Sequence, residues 1–467
     1  MSKRILSLDL LRGIAIIGDL VVHLVLLTSD MVTQAEDDPF SLGPFYLFVA
    51  ILVIIFGHWR GFFLMISAIG HTLSMTNAIR NGADRKSILK KQLSFGLFLF
   101  IWGLFREVFL NEWTTPRKWL ETGTFNPFLS WKQIYVPDAL ENIALSVIFT
   151  SIIFFILFAK KGVEKMKRNC IWLGILTVIV IFLPTLLYTF FNNYLGGSFP
   201  RYGGPPEFRA WWDYPLQLIY SQLLATESPL IPHMAYFLFG CIIGFIFSQK
   251  ISIKKLLWWG FSTGIFLIGL GIVWLLFVDG IPEDISLLIG FHTHPAWFIF
   301  LSLGMQLIGI LLFMSMVEFN KRIKIERYLR RTQHIRRWGI LALSAYCLLW
   351  IQYPLRWLFS KILPTYNFIN ANQLPFNIMV LLLVVDACCL ALILFLWQKV
   401  KFTGSLEWFM AKIMKRKKKG TKSDILNVEG LLVNPEPILW VNPIFPTELS
   451  YHYQGTEPKE EPVKLNN

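Results

Sequence analysis

About ten apolar stretches, each long enough to cross a bilayer as a helix, recur along this chain of 467 residues. They fall at roughly 8–28, 59–79, 92–111, 138–159, 170–191, 232–249, 256–278, 297–318, 339–360 and 376–398. Inside hydrocarbon the backbone of such a stretch must satisfy its own N–H and C=O groups. The expected fold class is therefore all-α, a polytopic transmembrane helical bundle. The residues are 55% hydrophobic and only 16% charged, more apolar than a soluble domain of this length would be. A shorter run at roughly 43–57 is too short to cross and reads as an interfacial or re-entrant helix on the outer side.

The connecting segments set the orientation. "RNGADRKSILKK", "KKGVEKMKR", "SQKISIKK", "NKRIKIERYLRRTQHIRR" and "KIMKRKKKG" are strongly basic and alternate with segments such as "SDMVTQAEDDPF" and "VDGIPEDISLL". With positive charge inside, both termini are expected in the cytoplasm and the span count even, in a multi-pass protein of the cell membrane. The net charge of +14 then follows from topology and from attraction to anionic membrane lipid, and calls for no nucleic acid. "MSKRILSLDLLRG" does not read as a cleavable signal, because the apolar run after it is too long and no small-residue cleavage site follows. All five cysteines fall in spans, which suggests no outer disulfide or metal cluster. Residues 1–414 read as the transmembrane domain, and 415–467 as a basic, then Pro-rich cytoplasmic tail, mobile with local docking.

The first span, "SLDLLRGIAIIGDLVVH", carries Asp9, Arg12, Asp19 and His23. At helical spacing the four lie within roughly 80° of one another, one ionic stripe on an otherwise lipid-compatible surface. Charge at membrane depth is expensive and normally faces a bundle interior or watery cavity, where it marks function. Asp19 stands one turn from His23, where it can fix the imidazole tautomer and leave the ring to act as a base. The plainer reading pairs Arg12 with Asp9 and Asp19 with His23 as structural glue.

Other polar groups sit at the outer ends of spans. "FGHWRGFFLMISAIGHTLSM" presents His58, an alternative base, and Arg60, either a ligand group or an interfacial anchor, while His71 reads as packing. In "YVPDALENIALS", Asp138 and Glu141 are ordinary helix-start chemistry, or carboxylates that hold a sugar or amine acceptor. His233 opens a later span, and His292 and His294 form only a weak metal signal, so no metal site is expected. The aromatic-rich outer segment with Tyr202, Trp211 and Trp212 suits either carbohydrate or an interfacial belt, and Arg356 and Asp386 are further charges inside spans. No nucleotide-binding glycine loop or serine-nucleophile elbow occurs.

"LSLDLLRGIAIIGDLVVH" resembles the first helix of the membrane acyltransferase superfamily, in which Arg, ten residues, then His is the signature; Arg12 and His23 match it. Within that superfamily the likeness is to the heparan-α-glucosaminide N-acetyltransferase-like group and related bacterial inner-membrane proteins. "FFLMISAIGHTLSMTNAIRNG", "LSWKQIYVPDALENIALS", "ESPLIPHMAYFLFGCIIG" and "WGILALSAYCLLWIQYPL" resemble four further segments of that group. The chain departs from the pattern at Asp19, where the family helix usually has Met, and at Val22, where an acidic residue precedes the histidine. The group's acting histidine is thought to lie before the second span, where this chain has His58.

The resemblance implies an acyl-CoA, most simply acetyl-CoA, as co-substrate reached from the cytoplasm with Arg12 toward the donor. It implies a glycan or amino-sugar acceptor at the outer side, and no permanently bound cofactor. The expected activity is an acyl-CoA-dependent acetyl- or other short-chain acyltransferase acting on a cell-envelope sugar, and homo-oligomer formation is compatible with it. The competing expectation is a non-enzymatic transporter or channel whose stripe lines a proton or solute path. Such a path would bring broken helices or internal symmetry, neither of which the sequence displays.

Overall fold

The computed structural model describes residues 5–28, 59–110, 118–119, 122–124, 131, 133–159, 162–194, 213–224, 228–249, 251–279, 294–320, 323–366, 368, 374, 376–414 and 432. Among them no strand occurs, and the chain is a helical bundle. The outer run 43–57, His58, the aromatic segment with Tyr202, Trp211 and Trp212, His292, and all of the tail except Leu432 lie outside the described residues.

The helices are α1 (Leu6–Thr28), α2 (Trp59–Arg80), α3 (Arg85–Phe109), α4 (Ala139–Leu157), α5 (Met166–Tyr194), α6 (Asp213–Leu224) and α7 (Leu230–Phe247). They continue with α8 (Ile253–Trp274), α9 (Ala296–Met316), α10 (Ile325–Ile340), α11 (Ala342–Cys347), α12 (Gln352–Ile362), α13 (Phe376–Lys399) and α14 (Leu406–Met414). Their starts follow local chemistry. Asp84 accepts from the Ser87 N–H to cap α3, and Ser252 accepts from the Lys255 N–H to cap α8.

Among the described residues eight helices are long and apolar enough to cross a membrane, or nine if the bent pair α10 with α11–α12 counts as one span. α1 is not counted among these, although its 23 residues are long enough to cross. α7 is the centre of the bundle, with 78% of its most apolar window buried, whereas α8 is peripheral at 11%.

The basic stretch before residue 339 reads from sequence as a cytoplasmic loop, yet it forms α10, an amphipathic helix packed along α1. Two glycines allow the crossing. A Cβ on Gly13 would stand 2.0 Å from the Ile335 carbonyl oxygen, and one on Gly339 would stand 2.0 Å from that of Asp9. Arg336, buried in this contact, donates to the carbonyl of Leu432, a tail residue seated in the same apolar cluster as Ile16 and Leu20.

The span expected at 339–360 is also broken. The chain bends by 64° between α10 and α11–α12 at Leu341 (φ −103°, ψ 33°). The freed N–H groups find a partner from far along the chain. Glu407 on α14 accepts from the backbone N–H of Leu343 and Ser344 and from the Ser344 hydroxyl.

Candidate functional site

Asp19 and His23 stand one turn apart on α1, with His23 Nε2 3.6 Å from Asp19 Oδ1. That separation is ion-pair range and beyond a direct hydrogen bond. Both side chains are largely covered, and both line one cavity of about 50 Å³, room for a few waters. Ile16 and Val22 complete the α1 wall, Phe63 comes from α2, Ala139, Leu140 and Ile143 from α4, and Ala342, Leu343 and Tyr346 from α11. The helix break at Leu341 thus delivers α11 to the wall shared with His23.

Tyr346 ties the cavity to an ionic cluster. Its hydroxyl donates to Asp138 Oδ2, and the Arg106 guanidinium lies over its ring at 4.3 Å. Arg106 donates to the same Asp138 oxygen and to Glu107 Oε1, the latter at 2.6 Å. The Asp138 N–H donates to Glu141 Oε2 at 3.3 Å, an N-terminal capping contact of α4. The Glu141 carboxyl occupies space that a Cβ on Gly103 would need, at 2.7 Å. Arg106, Glu107 and Glu141 are almost fully buried. One guanidinium therefore meets two carboxylates directly in the bundle interior, with a third carboxyl group, that of Glu141, beside Asp138. Asp138 and Glu141 thus make an ordinary helix-start contact, and neither lines the cavity, which takes Ala139, Leu140 and Ile143 from the same helix.

The stripe on α1 divides into two layers. Asp19 and His23 face the cavity, while Asp9 and Arg12 do not line it. Arg12 donates to the Ile66 carbonyl on α2 at 3.2 Å and lies 3.9 Å from Asp9. A quarter of its side chain remains accessible. Arg60 is the second residue of α2, but its side chain, like all of His58, lies outside the described residues.

His71 packs, as its sequence context suggests. Its ring stacks on Phe154 at 6.0 Å, with the Ser151 hydroxyl at 3.4 Å from Nε2. His233 and His294 meet at 4.6 Å between ring centres, with Tyr236 Oη 3.3 Å from His294 Nδ1. That buried aromatic group does not reach the cavity. Arg356 and Asp386 are buried but line no part of it either. Among the described residues no group of three or more His, Cys, Asp or Glu is arranged to hold a metal.

Arg106, Glu107 and Tyr346 escaped sequence reasoning. The adjacent Arg and Glu near the end of an apolar helix were the available signal, because both are costly at membrane depth. Nothing in the local sequence marks Tyr346.

No family model and no curated protein matches this chain.

Proposed function

We propose that the chain is an integral membrane acyltransferase that moves an acetyl or other short acyl group from cytoplasmic acyl-CoA to a cell-envelope sugar or amino sugar. The observation that carries this reading is the Asp19–His23 pair facing the same small cavity as Tyr346, which reaches the Asp138 carboxylate. His23 takes the proton from the acceptor hydroxyl or amine as that group attacks the thioester carbonyl. The carbon–sulfur bond breaks, and the departing thiolate recovers a proton from the imidazolium. Asp19 is a positioning residue that stabilises the imidazolium from 3.6 Å. Asp138 and Glu141, with Arg60 at the start of α2, form the polar environment of the acceptor. Arg12 serves the phosphates of the donor. His58 is the alternative base.

A cavity of about 50 Å³ is smaller than a ligand pocket, so donor and acceptor binding must widen it. In this reading α1 and the bent pair each cross once, which gives ten spans with both termini in the cytoplasm of a plasma-membrane protein. Reporter fusions at residue 40 and at the C-terminus should then report opposite sides. The activity test is transfer of radiolabel from acetyl-CoA in membranes containing the protein, with and without amino sugars. No transfer to any sugar acceptor, in membranes where the protein is abundant, would remove the enzymatic reading.

One observation favours the second reading, a transporter or channel. The bend at Leu341 is the kind of broken helix that solute paths use, and it borders the cavity through Ala342 and Leu343. Ion or proton flux in sealed vesicles, lost in His23→Ala, from a protein that transfers no acyl group would select it.

A further inference from the structure

On the far side of α7 from the histidine cavity lies an apolar groove of about 400 Å³. Phe239 and Ile243 of α7 form one wall, Trp259 and Thr263 of α8 the other, and Leu311 of α9 the floor. It exists because α8 leans on α9 and makes little contact with α7. Glycines clamp α8 to α9: a Cβ on Gly304 would stand 2.5 Å from the Gly264 carbonyl oxygen, and one on Gly264 would stand 2.6 Å from Ile308. With α8 held there, none of the described residues fills the gap beside α7.

Apolar walls of this kind exclude water, so in a bilayer hydrocarbon must occupy the gap. Its rim has a different character. Lys255 is the charged residue that lines the groove, in the first turn of α8 beside the Ser252 cap. Met166 contributes to the lining where α5 begins, and Lys165 and Lys167 flank it, exposed, as Lys254 is beside Lys255. Lys255 therefore borders one end of a hydrocarbon slot, and three further exposed lysines stand next in sequence to lining residues, at the ends of helices joined by the basic segments.

We propose that this groove is a binding site for an anionic phospholipid, with one acyl chain between α7 and α8 and the phosphate at Lys255. The lysines supply charge complementarity, and the α8 N-terminus adds a favourable dipole. A zwitterionic lipid would fill the slot without using the rim. The site shares no lining residue with the histidine cavity and does not depend on the acyltransferase reading.

Native mass spectrometry of the full chain, titrated with phosphatidylglycerol or phosphatidylcholine of equal chain length, tests this. Phosphatidylglycerol should bind more tightly. Lys255→Gln should weaken it about fivefold while leaving phosphatidylcholine unchanged. Thr263→Trp, which fills the slot, should weaken both lipids, and Lys90→Gln, on the exposed face of α3, should change neither. Equal binding of the two lipids by the unmodified protein would overturn the proposal. So would unchanged phosphatidylglycerol binding in Lys255→Gln, a change at an exposed rim residue that decides the matter even where Thr263→Trp fails to fold. Stoichiometric displacement of the lipid by a long-chain acyl-CoA would instead assign the slot to the donor's tail.

Discussion

Tyr346 lines the cavity that holds His23 and donates its phenolic hydrogen to Asp138, a residue 208 positions away in the chain. Through that hydrogen bond the α11 wall and the Arg106 cluster act as one unit. Tyr346→Phe keeps the ring under Arg106 and removes one donor from a mostly buried carboxylate. The expected cost is about 1–3 kcal/mol in thermal unfolding of the detergent-solubilised protein, with reduced acyl transfer. Unchanged stability and activity would mean that Asp138 is satisfied by its other partners, Arg106 among them.

If His23 is the base, His23→Ala should lower transfer by roughly 10²–10⁴-fold at normal membrane abundance. Asp19→Asn should lose a large part of the rate and shift its pH profile, because the imidazolium loses its counter-charge. His58→Ala should leave most activity. The reverse pattern would move the chemistry to the segment before α2. Parallel loss of abundance and activity in both α1 variants would mark the stripe as structural.

Arg106 is buried against Glu107 and Asp138, with Glu141 beside Asp138. Arg106→Met removes the cation in contact with Glu107 and Asp138, at a cost of about 3–5 kcal/mol. The protein should be lost from membranes or unfold at much lower temperature. Normal stability would show that the carboxylates are neutralised in another way.

Glu318, just beyond α9, accepts from the Ser7 N–H at 2.8 Å. Burial pushes its carboxyl up to about 7 from an ordinary 4.5, and its hydrogen bonds offset this only in part. Tyr328, Asp9 and Arg336 belong to the same charged neighbourhood. Between about pH 4.5 and 7 the folded protein keeps a proton there that the unfolded chain has lost. Stability should therefore fall as pH rises through that window and level off above it. The full effect is on the order of 3 kcal/mol. Glu318→Gln should flatten this part of the curve of unfolding temperature against pH, and an unaltered slope would assign the dependence to other groups.

The α1–α10 crossing makes the simplest steric test. Gly339→Ala places a methyl group 2.0 Å from the Asp9 carbonyl oxygen, where only backbone movement can relieve it. A loss of about 1–3 kcal/mol is expected. Gly174→Ala on α5 meets no atom within 4 Å and should be neutral or slightly stabilising. Equal behaviour of the two variants would mean that α10 does not rest on α1 in this register.

Most of the helical framework was legible from sequence, because a span is defined by some twenty adjacent residues and needs no partner to be recognised. The same local logic placed Asp19 and His23 on one face and Asp138 and Glu141 in one first turn, since helical periodicity alone sets those distances. It misled where a neighbour intervenes. The span at 339–360 breaks because Glu407, from α14, takes the N–H groups that a continuous helix would have bonded internally. The basic segment before it is a packed helix because Gly13 and Gly339 let two backbones meet. The stripe on α1 is one line in projection but two layers in space, since Ile66 of α2 takes Arg12 while the cavity takes Asp19 and His23. Arg106 and Tyr346 join Asp138 from separate helices, and no sequence window contains all three. Periodicity decides which way a side chain leaves its own helix, and only the packing of helices decides what it meets there.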